Sequence, residues 1–163
     1  MSDVLIEHVS LPLATVLLSA SPILELRGAL PFAILAGLPL WAAYPLAVVG
    51  NMLPIPFLIW LLGPATDLLR RWPRGDRFVE WLFARTRRQG ERIERYEMWG
   101  LVLCVALPLP MAGAWTGAVA GHVFGFSKAQ TLGACFIGVC IIGGIMSALS
   151  VFARELFVRF FGV

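Results

Sequence analysis

Hydrophobic positions fall into two long blocks, roughly residues 4–66 and 98–153, divided by a polar stretch at 67–97. The first block opens with an apolar segment at 4–20, about 17 residues and marginal for a bilayer crossing. Ser21-Pro22 breaks it. A short apolar piece, Leu30–Leu38, follows and ends at Gly37-Leu38-Pro39. Two short pieces joined at a polar, proline-containing break predict a re-entrant hairpin rather than two full spans. Leu40–Leu62 is long enough to cross, and Pro45, Gly50-Asn51, Pro54 and Pro56 predict a kinked or partly unwound span.

The second block repeats this order. Met98–Ala106 is broken by "LPLP" at 107–110, "MAGAWTGAVAGHVFG" covers 111–125, and Ser127-Lys128 precedes a last span at about 129–152. The tail "RELFVRFF" has a basic, aromatic character suited to an interface. Between the blocks, Phe78, Trp81, Leu82 and Arg85 follow helical spacing, which predicts an amphipathic surface helix. Trp72, Trp81 and Trp99 suit the membrane interface.

Composition turns these apolar runs into a membrane assignment. The 163 residues are 59% hydrophobic and 14% charged, with mean hydropathy +0.82; soluble domains carry about a quarter charged residues. Residues 67–97 hold nine of the thirteen basic residues, all arginine, and six of the ten acidic ones. This net positive segment is expected in the cytoplasm. The first eight residues contain Asp3 and Glu7 but no Lys or Arg, so no cleaved signal peptide is expected.

Internal similarity links the blocks. "ALPFAILAG" (29–37) lines up with "GAWTGAVAG" (113–121), and Gly37 to Gly50 has the spacing of Gly125 to Gly138. The two matches differ in offset by four residues, which His122–Gly125 supply as an insertion. A unit of hairpin plus span makes one net crossing, so two tandem units are inverted relative to each other. The predicted fold is an all-α polytopic membrane protein. It has two inverted repeats, each a re-entrant helical hairpin plus a long transmembrane helix, joined by a basic amphipathic cytoplasmic segment. The whole chain is one membrane domain: first repeat 1–66, linker 67–97, second repeat 98–153, tail 154–163.

Charge inside the apolar blocks marks candidate chemistry. Between His8 and Thr66 only Glu25 and Arg27 are charged. Each costs about 2.5–3.5 kcal/mol at the centre of an inserted helix. Such residues face cavities and partners rather than lipid. Glu25 is expected to titrate and Arg27 to hold substrate or Glu25. A structural ion pair is the competing reading. Under the first sequence match their counterparts are apolar, Leu109 and Met111. Asn51 lies in the broken first span as a substrate contact or a donor to freed carbonyls. Pro108 and Pro110 remove amide donors ahead of the second hairpin helix, and Trp115 and Thr116 are candidate cavity-lining residues. Gly28, Pro31 and Gly37 in the first hairpin, and Gly113, Gly117 and Gly121 in the second, are expected to serve packing. Gly125 completes that glycine ladder at i+4 spacing. His122 is expected near a hairpin exit and Lys128 to snorkel at the end of a span.

Cys104, Cys135 and Cys140 lie in apolar runs without a CxxC and read as small core residues, with no metal or disulfide implied. There is no GxxxxGK[ST], GxSxG or HExxH, so neither an ATP-driven pump nor a membrane hydrolase is expected, and no enzyme activity or cofactor.

"ELRGALPFAI" and "PLPMAGAWTGAVAG", in this order around a charged loop, resemble the paired motifs of the bacterial and archaeal small multidrug export protein family, over about residues 20–152. Met111-Ala112 stands where that family pattern has a Gly-Thr-like pair. More distantly, the layout is similar to DedA/VTT membrane proteins, though the second-half arginine of the DedA motifs is missing. The nearer resemblance implies an exporter in the cytoplasmic (inner) membrane; with Glu25 expected to titrate, the reading is proton-coupled export of a small amphipathic molecule. The more distant one implies a polyprenyl-phosphate lipid translocase, with Arg27 on the phosphate. A non-transporting membrane scaffold is the third alternative. Arg27 favours an anionic ligand and Glu25 a cationic one. The expected partners are the bilayer, that substrate and a second copy in a homodimer, with no nucleic acid.

Overall fold

The structure, a computed structural model, describes residues 2–72, 76–77, 80, 97–107 and 113–161. Among these residues there is no strand, and the delimited helices are α1 (Ser2–Ala20), α2 (Glu25–Leu35), α3 (Leu40–Met52), α4 (Ile55–Arg70), α5 (Glu97–Ala106), α6 (Ala114–Val123) and α7 (Lys128–Phe161). Two stretches are long and apolar enough to cross a membrane, Leu40–Arg70 and Lys128–Ala153. The first joins α3 and α4 through a turn at Leu53-Pro54, where the proline-rich sequence predicted a break. The second runs without interruption into the tail, so the helix continues to Phe161 rather than ending near residue 152. The predicted amphipathic segment lies outside the described residues at Phe78, Trp81, Leu82 and Arg85.

The chain divides into two compact units. One comprises residues 1–53 and 139–163, the other 54–138. In the first, α1 packs on α2 and α3, and α2 on α3. Leu26, Ala29, Leu30, Ala33, Ala43 and Ala47 are fully buried there. Small residues let the backbones meet. A Cβ on Gly50 would stand 2.6 Å from the Val16 carbonyl oxygen and 2.9 Å from Val16 Cα. Ser19 Oγ donates to the Ala47 carbonyl at 2.5 Å beside this crossing. From the same unit's part of α7, the Cys140 carbonyl accepts from Tyr44 OH at 3.0 Å. A Cβ on Gly143 would meet Tyr44 Cε2 at 2.8 Å and Leu26 Cδ1 at 3.4 Å.

In the second unit, α6 packs on α4 and α5. A Cβ on Gly117 would collide with the Val105 side chain, and one on Gly121 with the Thr131 side chain. Gly138 lets Val105 approach closely, its hypothetical Cβ lying 2.6 Å from Val105 Cβ. Ser127 and Gln130 form a capping box at the start of α7: the Gln130 N–H donates to Ser127 Oγ (3.2 Å) and the Ser127 N–H to Gln130 Oε1 (3.0 Å).

Two helix ends are built alike. At the end of α2 the Leu38 N–H reaches the Ala33 carbonyl, the Gly37 N–H reaches Ile34, and Gly37 has φ +95°. At the end of α6 the Phe126 N–H reaches the Gly121 carbonyl, the Gly125 N–H reaches His122, and Gly125 has φ +78°. Both are Schellman endings, in which glycine takes the left-handed position. The next helix starts three residues later in each case, at Leu40 and Lys128. The buried faces correspond too: Leu26, Ala29, Leu30 and Ala33 against Ala114, Gly117, Ala118 and Gly121. Every one of these pairs lies 88 positions apart. The expected alignment of 29–37 with 113–121 is therefore four residues out of step with the helices, and no insertion at His122–Gly125 is needed. On the structural register Glu25 and Arg27 correspond to Gly113 and Trp115, not to Leu109 and Met111.

Candidate functional site

The turn between α1 and α2 is built by Ser21. Its side-chain oxygen accepts from the Ile23 N–H (3.3 Å), and its carbonyl accepts from the Glu25 N–H (3.0 Å). This tight wrap delivers the chain to α2 through a left-handed residue. Glu25 has φ +49°, the one non-glycine residue with positive φ among the described residues. Left-handed backbone costs an ordinary side chain about 1–2 kcal/mol. Glu25 therefore occupies a strained position where glycine would sit more easily, and such strain clusters at functional sites.

Glu25 and Arg27 are both half-buried. The Nε atom of Arg27 is buried. Both residues belong to the first turn of α2, so Arg27 is helical. Between them Leu26 is fully buried, which anchors this turn in the core of its unit. Gly28 is tight only against its own turn: a Cβ there would lie 3.1 Å from Leu24 Cδ2. Pro31 sits inside α2. Gly37 serves the turn rather than packing, since a Cβ there would meet nothing within 4 Å.

Asn51, near the end of α3, is 2% exposed, and its Oδ1 is buried without a hydrogen-bond partner. In the second unit Trp115 is half-buried, and its Nε1 is likewise buried without a partner. Thr116 is committed to capping: its Oγ1 accepts from the Gly113 N–H (2.8 Å) and donates to the Gly113 carbonyl (3.0 Å). Gly113 is the cap residue of α6, and Gly117 and Gly121 are close-packing positions, as described above. Pro108 and Pro110 lie outside the described residues.

Sequence reasoning missed one polar contact. His122 Nε2 lies 2.9 Å from Thr66 Oγ1, tying α6 to α4. The two residues are 56 positions apart, on different helices, so no local spacing signals the pair. Among the described residues no group of three His, Cys, Asp or Glu side chains could hold a metal ion.

Among the described residues all regular structure is helical, and two apolar stretches are long enough to cross a membrane, as in a helical membrane protein. Residues 25–145 match the family described as "Putative small multi-drug export protein", and the chain belongs to that family. No curated protein and no solved structure shows significant similarity to it.

Proposed function

We propose that the protein is a small secondary exporter in which Glu25 carries the coupling proton and Arg27 positions either the substrate or the Glu25 carboxylate. One observation carries this reading. The only acidic residue between His8 and Thr66 is held half-buried, in a left-handed backbone conformation, at the head of a short membrane-protein helix. The helix dipole favours a carboxylate in the first turn, but lipid packing does not call for one there. A carboxyl group in that position binds a proton or a cationic, amphipathic substrate in turn. That alternation is what exchange across a membrane requires.

The finer topology belongs to the same proposal. Two re-entrant hairpin-plus-span halves of opposite sense would lie in the cytoplasmic membrane, with residues 67–97 on the cytoplasmic side. The paired Schellman endings 88 positions apart support an internal repeat. At about 1.5 Å per residue, an 11-residue α2 falls well short of the roughly 30 Å hydrocarbon layer.

Arg27 favours a second reading. Its guanidinium sits in the first turn of α2, where the helix dipole also attracts anions. A lipid phosphate would fit this end of the helix, making the protein a polyprenyl-phosphate translocase.

Proteoliposomes with an imposed pH gradient separate the two readings. Gradient-dependent movement of a drug cation, lost in Glu25→Gln, supports the exporter. Movement of labelled polyprenyl phosphate, lost in Arg27→Ala, supports the translocase. No movement of either, together with variants that alter only stability, leaves a membrane scaffold.

A further inference from the structure

We propose that the cavity between the α2–α3 turn and the end of α7 binds a phospholipid with a primary-amine headgroup, and that the Glu155 carboxylate holds its ammonium. The cavity measures about 340 Å³ and is bounded by Ile34 and residues 37–40 on one side and by Val151 and Glu155 on the other. A second cavity, of about 620 Å³, opens between the same turn, Trp41 and Ala42 and the Leu11-Pro12 step of α1. Residues 37–39 line both. All of these residues belong to one compact unit. Both volumes fall within the roughly 300–1,000 Å³ of ligand pockets.

The packing of α3 on α7 puts the smaller cavity at headgroup depth. Tyr44 meets α7 at Cys140 and Gly143. Leu40, one turn earlier on α3, lines the cavity with Val151 and Glu155, about two turns or more further along α7. The two helices therefore run antiparallel here. Leu40 opens the first membrane-length stretch, and Ala153 closes the second. The cavity thus lies where two spans end at one level, with Glu155 just past the apolar stretch. Trp41, on the second cavity, is 81% exposed, a placement that suits an interfacial indole.

The polarity of this turn is complementary to an ammonium. Among the described residues Glu155 is the one charged side chain lining either cavity, and no basic residue does so. The hydrogen bonds that close α2 fall on the Phe32, Ala33 and Ile34 carbonyls. The carbonyls that follow have no helical N–H to take, and Pro39 brings none. They carry the negative end of the helix dipole. A primary ammonium offers three N–H donors as well as its charge, whereas a trimethylated one offers charge alone. The other lining side chains are alkyl groups and the Trp41 indole, which suit an acyl chain. A carboxylate at the end of a span, beside apolar walls, favours an amphiphile of the bilayer over a free solute. The claim is independent of whether Glu25 and Arg27 export anything.

The test is the melting temperature of the full purified chain in detergent micelles, titrated with phosphatidylethanolamine or with phosphatidylcholine of identical acyl chains. Phosphatidylethanolamine should raise it saturably, by about 5–10 °C at a hundred times the half-saturating concentration. Phosphatidylcholine should need about ten times more lipid for the same rise, the worth of one charge-assisted hydrogen bond. Glu155→Gln should erase this preference. Val151→Trp keeps the carboxylate but narrows the cavity, and should weaken both lipids. Both positions are exposed, so neither substitution disturbs the core. Equal rises with the two lipids in the wild type would overturn the site. So would a preference that survives Glu155→Gln, or binding unchanged by Val151→Trp. Free ethanolamine should not reproduce the rise; a full rise from it would assign the cavity to a soluble amine and overturn the lipid. Glu25→Gln should leave the preference intact, which keeps this result separate from the exporter reading.

Discussion

His122 donates to Thr66. The two atoms, Nε2 and Oγ1, are 2.9 Å apart, and the single hydroxyl proton of Thr66 goes to the Leu62 carbonyl at 2.7 Å. The imidazole must therefore carry hydrogen on Nε2. This assigns the ring's tautomer from its neighbour and makes the contact specific to a hydroxyl acceptor on α4.

Thr66→Val keeps the shape of the side chain and removes that acceptor. It should destabilise the protein by about 1 kcal/mol, the usual worth of one such bond, while Thr66→Ser should retain most of the stability. Thermal melts in detergent measure the difference. Nitrogen chemical shifts of labelled His122 should show the Nε2–H form in the wild type. A ring protonated on Nδ1 alone would refute the assignment.

Glycines that look alike in sequence should respond in opposite directions. Gly50→Ala places a Cβ against the backbone of Val16. Overpacking of this kind costs about 1–3 kcal/mol, and a clash with backbone belongs at the upper end. Gly63→Ala lies in α4 with nothing within 4 Å. It should be neutral or stabilising by up to about 1 kcal/mol, because alanine is the better helix former. Equal effects of the two substitutions on the melting temperature would contradict the α1–α3 crossing.

The two Schellman endings make a paired prediction. Gly37 and Gly125 have open space around the missing side chain, so only their positive φ demands glycine. Each substitution to alanine should cost about 1 kcal/mol. Asparagine, which tolerates the left-handed region, should cost less at both positions. A large loss at one site and none at the other, measured by the same melts, would show that the endings are not equivalent.

Much of this architecture is legible in the sequence because proline and glycine act locally. Ser21-Pro22, Gly37-Leu38-Pro39 and Gly50–Pro56 mark boundaries that the helices respect. The register between the halves was not legible. "ALPFAILAG" and "GAWTGAVAG" match through small residues that recur every four positions, so a slip of one helical turn still looks convincing. The endings at Gly37 and Gly125 and the buried faces of α2 and α6 coincide instead at 88 positions, the offset that the spacing of Gly37 to Gly50 and of Gly125 to Gly138 also carries. The candidate site was legible as chemistry but not as geometry. Glu25 and Arg27 stand out because charge is rare in an apolar run, whereas the left-handed φ of Glu25 depends on how Ser21 closes the turn. The Thr66–His122 bond depends on helix packing, which no short motif encodes.

Glu25 itself permits a test that separates strain from chemistry. Glu25→Ala and Glu25→Gly both remove the carboxylate and every contact it makes, but only alanine keeps a Cβ on a left-handed backbone with φ +49°. The glycine variant should therefore be more stable than the alanine variant by about 1 kcal/mol. This reverses their usual order near a helix, where glycine is worse by a similar amount. Export should be lost in both, because neither can carry a proton. If alanine proves the more stable, the turn at Ser21–Glu25 does not hold the conformation described. If both variants still export, Glu25 is not the coupling residue, whatever its backbone geometry.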